Sequence, residues 1–259
     1  MRQIEHRGLL GFRFERLGAE PGLRHVFGAR AADGSGNLSL SGGRDRAAAL
    51  RVRAGWSDDL ALRAEDWVVG SQVHGAVLRR AGALERGRGA SDPADVLPPC
   101  DGLWTTEAGL PLFIAVADCG AVLLYRTAGA ATGQAAALAV VHAGWRGLAA
   151  GIVGAAVDAL GGPQGLLAGI APCAGWDSYE VGEEVASAAP EAAVRRGTGR
   201  PHVDIGRWAE HALREAGLQA HAIERAGIDS IADPRCFSHR REGAAAGRMG
   251  LIAALAPPA

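Results

Sequence analysis

Hydrophobic and polar positions along the chain predict a mixture of strands and helices. Apolar runs of strand length occupy residues 110–117, 121–125 and 135–141, and their close spacing predicts adjacent strands of a central sheet. Elsewhere, apolar residues recur at helical spacing among good helix formers. The helices predicted in this way span residues 44–54, 59–64, 147–160, 183–189 and 205–216.

Further short apolar segments predict additional strands around this central group. They cover residues 9–17, 24–28, 67–73, 166–170 and 222–230. Clusters of glycine, serine and proline predict loops at 30–43 and 86–100. Strands and helices do not alternate strictly, so the sequence predicts an α+β fold in preference to a pure α/β fold. No repeat or linker divides the chain, and we expect a single domain over residues 1–259.

Composition restricts the classes of partner. Hydrophobic residues make up 48% and charged residues 21% of the 259 residues, as is usual for a soluble globular protein. The formal net charge of −1 gives no electrostatic reason to expect nucleic acid or an anionic membrane as a partner. Neither a secretory signal nor an apolar stretch of about 18 residues is visible. We therefore expect a cytoplasmic protein that acts on a small-molecule substrate.

The chain contains no lysine, so all of its basic residues other than histidine are arginines. Arginine stays protonated and forms no Schiff base. The sequence therefore excludes lysine Schiff-base enzymes, pyridoxal-phosphate enzymes and phosphate-loop nucleotide hydrolases of the usual kind. The cysteines are far apart along the chain, which favours reduced thiols over disulfides. They are Cys100, Cys119, Cys173 and Cys236.

Two histidines and a cysteine lie beside predicted strands. His74 follows residues 67–73, Cys119 lies between two apolar runs, and His142 follows residue 141 directly. Two imidazoles and a thiolate provide three protein ligands for zinc and leave a fourth position open, as in catalytic zinc sites. Buried cysteines and hydrogen-bonded histidines are also common without a metal. The spacings match no short zinc signature, so spacing alone leaves both interpretations open.

Short motifs that include these three residues occur in order along the chain. They are Ser71-Gln72-Val73-His74, Cys100-Asp101-Gly102-Leu103-Trp104-Thr105, Ala117-Asp118-Cys119, Val141-His142-Ala143-Gly144-Trp145-Arg146-Gly147, Gly169-Ile170-Ala171-Pro172-Cys173, Tyr179-Glu180-Val181-Gly182, Phe237-Ser238-His239-Arg240-Arg241 and Gly247-Arg248. Together they resemble the motifs of the YfiH family, also called the multicopper polyphenol oxidase (laccase) domain, which is related to FAMIN. The resemblance covers residues 25–252.

The chain departs from the family pattern in two places. Leu38-Ser39-Leu40 stands where the family often has Leu-Asn-Leu. Near the C-terminus, Asp229-Ser230 is the nearest equivalent of a usual Cys-Thr pair, and the only thiol nearby is Cys236. Neither departure touches the three candidate ligands, so both concern the details of substrate binding.

The resemblance implies a single-domain α+β fold with layered mixed β-sheets flanked by helices, that is, a YfiH-like, cysteine-hydrolase-like fold. It also implies one metal ion per chain, zinc by preference and copper as an alternative, held by His74, Cys119 and His142. The implied activities are phosphorolysis of adenosine, inosine, guanosine and S-methyl-5'-thioadenosine, together with deamination of adenosine. Alternatives are a peptidoglycan editing factor acting on a muropeptide precursor, a copper-dependent polyphenol oxidase, and a non-enzymatic binding protein stabilised by metal.

Candidate catalytic residues lie next to the ligands in the sequence. Arg146 offers planar donors that suit phosphate, and the alternative is a surface-exposed or packing arginine. Trp145 could stack on a base or belong to the core. Asp118 is expected to orient a ligand histidine or a loop. Asp101 is either a general base or a cap of a helix or turn.

Phenol oxidation by a four-copper mechanism is not expected. A trinuclear copper cluster needs many histidines, commonly as His-x-His pairs, whereas this chain has 8 histidines and no such pair. Blue copper often uses an axial methionine, and the only candidates are Met1 and Met249. We therefore expect any phenol oxidation to be weak and dependent on a single copper ion.

Overall fold

The computed structural model describes residues 1–129 and 134–257. Residues 130–133 and 258–259 of the predicted domain lie outside this part. The strands are β1 (Arg2–His6), β2 (Leu9–Arg13), β3 (Leu23–Gly28), β4 (Val68–Ser71), β5 (Leu78–Arg80), β6 (Leu97–Pro99), β7 (Gly102–Thr105), β8 (Leu112–Val116), β9 (Gly120–Arg126), β10 (Ala137–Ala143), β11 (Leu166–Ile170), β12 (Val194–Arg195), β13 (His202–Val203), β14 (Ile223–Arg225) and β15 (Met249–Leu255).

Helices cover the outer faces of the sheets. The α-helices are α1 (Glu15–Gly18), α2 (Arg46–Asp59), α3 (Trp145–Ala149), α4 (Ile152–Ala159), α5 (Glu183–Ala186), α6 (Ile205–Glu215) and α7 (His239–Glu242). Single turns of 3₁₀ helix occur at Ala64–Asp66, Ala83–Glu85, Glu191–Ala193, Ala220–Ala222 and Gly243–Ala245. Among the described residues, no helix has both the length and the apolar character needed to cross a bilayer.

Two mixed sheets pack face to face. In the described residues, a seven-stranded sheet has the order β1-β2-β3-β15-β8-β4-β6, and a six-stranded sheet has the order β14-β11-β9-β10-β7-β5. Side chains such as Val116 and Leu251 from the first sheet meet Leu123 and Val140 from the second in a shared core. Helix α2 packs on the outer face of the first sheet, and α4 and α6 pack on that of the second. This arrangement confirms the predicted single-domain α+β fold with layered mixed sheets.

The three central apolar runs are strands, but the prediction that they are neighbours in one sheet was wrong. Strand β8 belongs to the seven-stranded sheet, whereas β9 and β10 pair in the six-stranded sheet. The chain crosses between the sheets in a tight turn at Asp118, whose φ is 80°. Apolar periodicity identifies a buried strand and does not specify its sheet. The crossing places Cys119 at the boundary between the two layers.

Two helix predictions also need correction. The helix predicted over 147–160 is divided into α3 and α4 at Gly151, whose φ of 82° interrupts the helical backbone. The helix predicted over 59–64 is absent, because α2 ends at Asp59 and Ala61 adopts a positive φ of 49°. Local helix propensity did not indicate the positive φ angle at either position.

Several strand boundaries differ from the prediction as well. The strand predicted over 67–73 is β4, which ends at Ser71. The loop predicted over 86–100 contains β6, which extends the sheet beside β4. The segment 9–17 holds β2 followed by α1. Strands β1, β5, β7 and β15 were not predicted, and β15 forms the centre of the seven-stranded sheet.

Candidate metal centre

Pairing between strands β7 and β10 brings Asp101 to His142. The backbone N–H of His142 donates to the carbonyl oxygen of Asp101 at 2.7 Å. The side chains also meet, with 2.8 Å between His142 Nδ1 and Asp101 Oδ1. Both side chains are buried, at 3% and 0% exposure. This contact fixes the imidazole ring and leaves its other nitrogen, Nε2, available to bind a metal ion.

The same carboxylate holds the turn that carries His74. Asp101 accepts backbone N–H bonds from Val73 at 3.1 Å, His74 at 2.8 Å and Gly75 at 2.7 Å. Burial alone would raise the pKa of Asp101, but the bonds from His142 and these amides outweigh it and lower the pKa. Of the two roles considered, the structure thus shows Asp101 as a cap that also orients His142. Its role as general base stays a prediction.

His74 occupies a strained turn beyond the end of β4. Its φ is 62°, a left-handed conformation uncommon for a residue other than glycine. On the strand side, the Gln72 side chain donates to the Ala115 carbonyl at 2.8 Å and accepts from the Ala115 N–H at 2.9 Å. Gln72 therefore anchors the turn to β8, and Asp101, which directly precedes β7, anchors it from the other side.

Asp118 holds the turn that presents Cys119. Its carboxylate accepts hydrogen bonds from Ser230 Oγ at 2.8 Å, Ser238 Oγ at 3.0 Å and the Arg240 N–H at 2.7 Å. Within the described residues, it makes no hydrogen bond to either ligand histidine. Of the two expected roles, the structure therefore supports the orientation of a loop. The Asp118 carboxylate joins the Cys119 turn to the C-terminal segment.

The three predicted ligands come together at this boundary. The ligand atoms of His74, Cys119 and His142 all lie within 4.8 Å of one another. The histidine rings meet edge to face, with centroids 4.8 Å apart. A Cβ on Gly144 would lie 3.1 Å from Cys119 Sγ, so this glycine leaves room beside the ligand atoms. Among the described residues, no aspartate, glutamate, histidine or cysteine adds a fourth ligand to the group.

The electrostatic environment favours a thiolate at Cys119. Burial alone would raise the pKa of the thiol, but hydrogen bonds and charge from His142 and His74 outweigh it and lower the pKa to about 6. A thiolate is the form that binds metal. Burial instead raises the pKa of Cys100 to about 11 and of Cys236 to about 12. Cys119 is therefore distinguished chemically from these buried thiols, and all of the cysteines are free.

A cavity of about 540 Å³ opens at the three ligands and extends along the outer face of β8 toward α2. Its volume lies in the range of small-molecule sites, about 300–1,000 Å³. Its polar lining includes Gln72, Arg53 and Arg248. Among the described residues, no aspartate or glutamate lines it. The cavity can therefore hold a small molecule in a positively charged environment next to the candidate metal ligands.

Arg146 does not line this cavity. It lies exposed on α3, with its guanidinium 4.5 Å from the centroid of the Trp145 ring. Its guanidinium makes no hydrogen bond or ion pair within 1–129 and 134–257. Trp145 is half-buried and packs against the hydrophobic cluster that lies between the six-stranded sheet and helices α4 and α6. The expected phosphate-binding role of Arg146 stays a prediction.

Arg53 is 3% exposed and lines the cavity, and it was not among the residues predicted from the sequence. A signal was present in helix α2, because Ala49, Val52 and Trp56 form its buried stripe and Arg53 lies within that stripe. An arginine on the apolar face of a helix is unusual and points to a specific polar role. Arg248 belonged to a quoted motif, but its position in the cavity depends on the fold.

Known proteins resemble the chain over most of its length. The sequence profile described as multi-copper polyphenol oxidoreductase laccase matches residues 25–256. Purine nucleoside phosphorylase YlmD of Geobacillus stearothermophilus is 32% identical, over 95% of this chain and 94% of that protein. A purine nucleoside phosphorylase of Xylella fastidiosa is 40% identical, over 71% of this chain and 69% of that protein.

Solved structures show the same fold. The crystal structure of YlmD from Geobacillus stearothermophilus has a TM-score of 0.85 at 28% identity, covering 98% of both chains. The crystal structure of the Bacillus licheniformis hypothetical protein YfiH has a TM-score of 0.83 at 23% identity, covering 96% of both chains. The matching profile and these relatives confirm the resemblance inferred from the motifs. The chain belongs to the multi-copper polyphenol oxidoreductase laccase family, whose YlmD members carry the name purine nucleoside phosphorylase.

Proposed function

We propose that this protein is a zinc-dependent purine nucleoside phosphorylase that also deaminates adenosine. The proposed substrates for phosphorolysis are adenosine, inosine, guanosine and S-methyl-5'-thioadenosine. The observation that carries the proposal is the convergence of His74, Cys119 and His142 at one end of a substrate-sized cavity. The purine nucleoside phosphorylase name of the relatives supports the choice of substrate class.

The three side chains suit zinc. Imidazole nitrogens and a thiolate are ligands that zinc accepts readily, whereas magnesium and calcium prefer oxygen ligands. A tetrahedral zinc ion keeps its ligand atoms about 3.5 Å apart, and these atoms already lie within 4.8 Å. When bound in such a three-ligand shell, zinc supplies Lewis-acid chemistry and lowers the pKa of a coordinated water.

Other residues of the protein orient the candidate metal ligands and enclose the substrate. Asp101 fixes His142 through Nδ1 and keeps the turn of His74 in place. The cavity removes the substrate from bulk water, which strengthens electrostatic interactions with the reacting groups. Phe113 supplies an apolar surface to this cavity, and Ser41 supplies a hydroxyl group at its border. These are the contacts that a purine nucleoside needs for burial and orientation.

Product analysis tests the proposal. Adenosine, inosine and methylthioadenosine are incubated with the zinc-loaded protein, with and without phosphate. We expect free base and a sugar 1-phosphate only when phosphate is present, and inosine from adenosine in either condition. Zinc measured by elemental analysis should be about one per chain, the amount that a single three-ligand site holds. A Cys119→Ala variant should lose both the metal and the two activities.

Two other outcomes would overturn parts of the proposal. If no purine product forms, but a muropeptide precursor is edited or phenols are oxidised in copper-loaded protein, the proposed substrate class is wrong. If zinc is bound and no substrate turns over, the protein is a metal-stabilised binding protein. An Arg146→Ala variant tests the expected phosphate ligand, because it should reduce phosphorolysis more than deamination. Equal loss of both activities would contradict that role.

A further inference from the structure

Arg53 is a buried cation that lines the cavity. Its Nε donates to the Leu38 carbonyl at 3.0 Å, and its Nη1 donates to the carbonyls of Gly89 at 3.0 Å and Ala90 at 2.8 Å. These bonds hold the guanidinium between α2 and two loops. Its Cζ lies over the rings of Trp67 and Phe113, 5.3 Å and 4.9 Å from their centroids.

The positive charge of Arg53 has no compensating acid among the described residues. Its bonds go to neutral carbonyl oxygens, and its Nη2 has no hydrogen-bond partner in this part of the chain. Burial lowers the pKa of Arg53 to about 10, which still leaves it charged at neutral pH. A buried charge without a counter-ion is costly unless another group compensates it. The cavity is the open space from which an anion could do so.

Other cavity residues are suited to the same kind of ligand. Arg248 is half-buried and uses Nη1 to donate to Ala246 and Gly247 carbonyls, at 2.7 Å and 2.9 Å. Its Nε and Nη2 have no hydrogen-bond partner within the described residues. The hydroxyls of Ser39 and Ser41 lie 3.1 Å apart and also border the cavity. The free Nε and Nη2 of Arg248, the free Nη2 of Arg53 and the serine hydroxyls together match the oxygens of a phosphate group.

We propose that Arg53 and Arg248 form a phosphate-binding subsite inside this cavity, distinct from exposed Arg146. The ligand is a phosphate group, either as free inorganic phosphate or as the 5'-phosphate of a purine nucleotide. The positive lining without acidic residues, and the free donors of both arginines, carry the inference. It rests on the proposed function only for the choice of phosphate among anions.

Phosphate binding to the full-length protein tests the subsite directly. Inorganic phosphate is titrated calorimetrically at constant ionic strength, with and without hypoxanthine. Arg53→Met and Arg248→Met should each weaken phosphate binding by about tenfold or more, because each removes charge-assisted hydrogen bonds. Arg44→Gln is the matched control, since Arg44 donates to the same Ala246 carbonyl as Arg248 and does not line the cavity. It should bind phosphate within about twofold of the wild type.

If Arg53→Met does not fold, Arg53→Lys and Arg248→Met decide the question. Lysine keeps the charge and loses the planar fork, so it should bind phosphate more weakly than arginine does. Circular dichroism and thermal melting establish that each variant is folded. Wild-type affinity in folded variants of both arginines would overturn the subsite. The subsite would also be overturned if the wild-type protein bound no inorganic phosphate and bound adenosine 5'-monophosphate no more tightly than adenosine.

Comparison of adenosine 5'-monophosphate with adenosine separates the two sources of phosphate. A preference for the nucleotide that disappears in the arginine variants assigns the subsite to an attached phosphate. Binding of inorganic phosphate without such a preference assigns it to the free co-substrate. The subsite and the proposed function fail separately. Phosphate binding that depends on Arg53, without nucleoside cleavage, refutes the function alone. Phosphorolysis with an unchanged KM for phosphate in both variants refutes the subsite alone.

Discussion

His25 and His142 are equally buried, at 3% exposure, and have opposite acid–base properties. His25 stacks on Phe14 and accepts the Phe14 N–H through Nε2 at 3.1 Å. Burial, with a contribution from the charge of Arg13, lowers its pKa to about 4. Burial would also lower the pKa of His142, but hydrogen bonds to Asp101 and Cys119 outweigh it and raise the pKa to about 9. Burial therefore does not distinguish the candidate metal ligand from the other buried histidine, whereas their polar partners do.

Removal of the His142 ring has the largest expected effect. His142→Ala should reduce zinc in the purified protein from about one per chain to near zero, because two ligands do not retain zinc well. Nucleoside turnover should be lost with the metal. His25→Gln is the matched control and should keep both zinc and activity. Stoichiometric zinc in His142→Ala, measured by elemental analysis, would contradict the assignment of this ligand.

The candidate metal centre was predictable from the sequence only in part. His74, Cys119 and His142 were identifiable because each one lies close to an apolar run that forms a strand. The role of Asp101 depends on the pairing of β7 with β10, which joins residues 41 positions apart. Local periodicity contains no information on such a long-range pairing. The position of Cys119 between two sheets was hidden for the same reason.

The pH dependence of the free energy of unfolding should include a contribution from His25. Its folded pKa of about 4 lies below the ordinary value of 6.5, so the unfolded chain binds more protons between these values. Stability from this group is therefore complete above pH 6.5 and is lost as the pH falls toward 4. The expected loss is about 3 kcal/mol, from about 1.4 kcal/mol for each pKa unit.

Urea unfolding of wild-type and His25→Gln protein at several pH values isolates this contribution. Glutamine can still accept the Phe14 N–H and does not titrate, so its stability should lack this part of the acid dependence. The difference in unfolding free energy between the two proteins should change by about 3 kcal/mol between pH 7 and pH 4. A constant difference across that range would show that His25 does not resist protonation in the folded protein.

Asp101→Asn tests the partner that sets His142 apart. The variant removes the negative charge and places an amide NH₂ against a ring nitrogen or the backbone donors of His74 and Gly75. Loss of a carboxylate that supports a metal-bound histidine typically weakens metal binding by about 10–100-fold. Titration of the metal-free variant with zinc, in competition with a chelating dye, measures this effect. Unchanged affinity would mean that the Asp101 contact does not support the ligand.

Asp118→Asn should have the smallest effect on the metal, because the Asp118 carboxylate is hydrogen-bonded to the C-terminal segment and, within the described residues, to no ligand histidine. Its carboxylate accepts from Ser230, Ser238 and the Arg240 N–H. An asparagine side chain must turn an NH₂ group toward at least one of these donors, and a buried donor without a partner costs about 1–3 kcal/mol. We expect the free energy of unfolding to fall by this amount and zinc affinity to change less than about tenfold, below the range expected for Asp101→Asn.

Ser230→Ala is the matched control for the Asp118 network. It removes one of the three donors and leaves the other two bonds to the carboxylate in place. Its stability loss should therefore be smaller than that of Asp118→Asn, near the value of about 1 kcal/mol for a single hydrogen bond. Urea unfolding and the zinc competition titration are applied to both variants. Asp118→Asn could instead weaken zinc binding as much as Asp101→Asn does. Zinc binding would then depend equally on the carboxylate that holds the Cys119 turn and on the one that holds the His142 ring. That result would contradict the different roles assigned to Asp118 and Asp101.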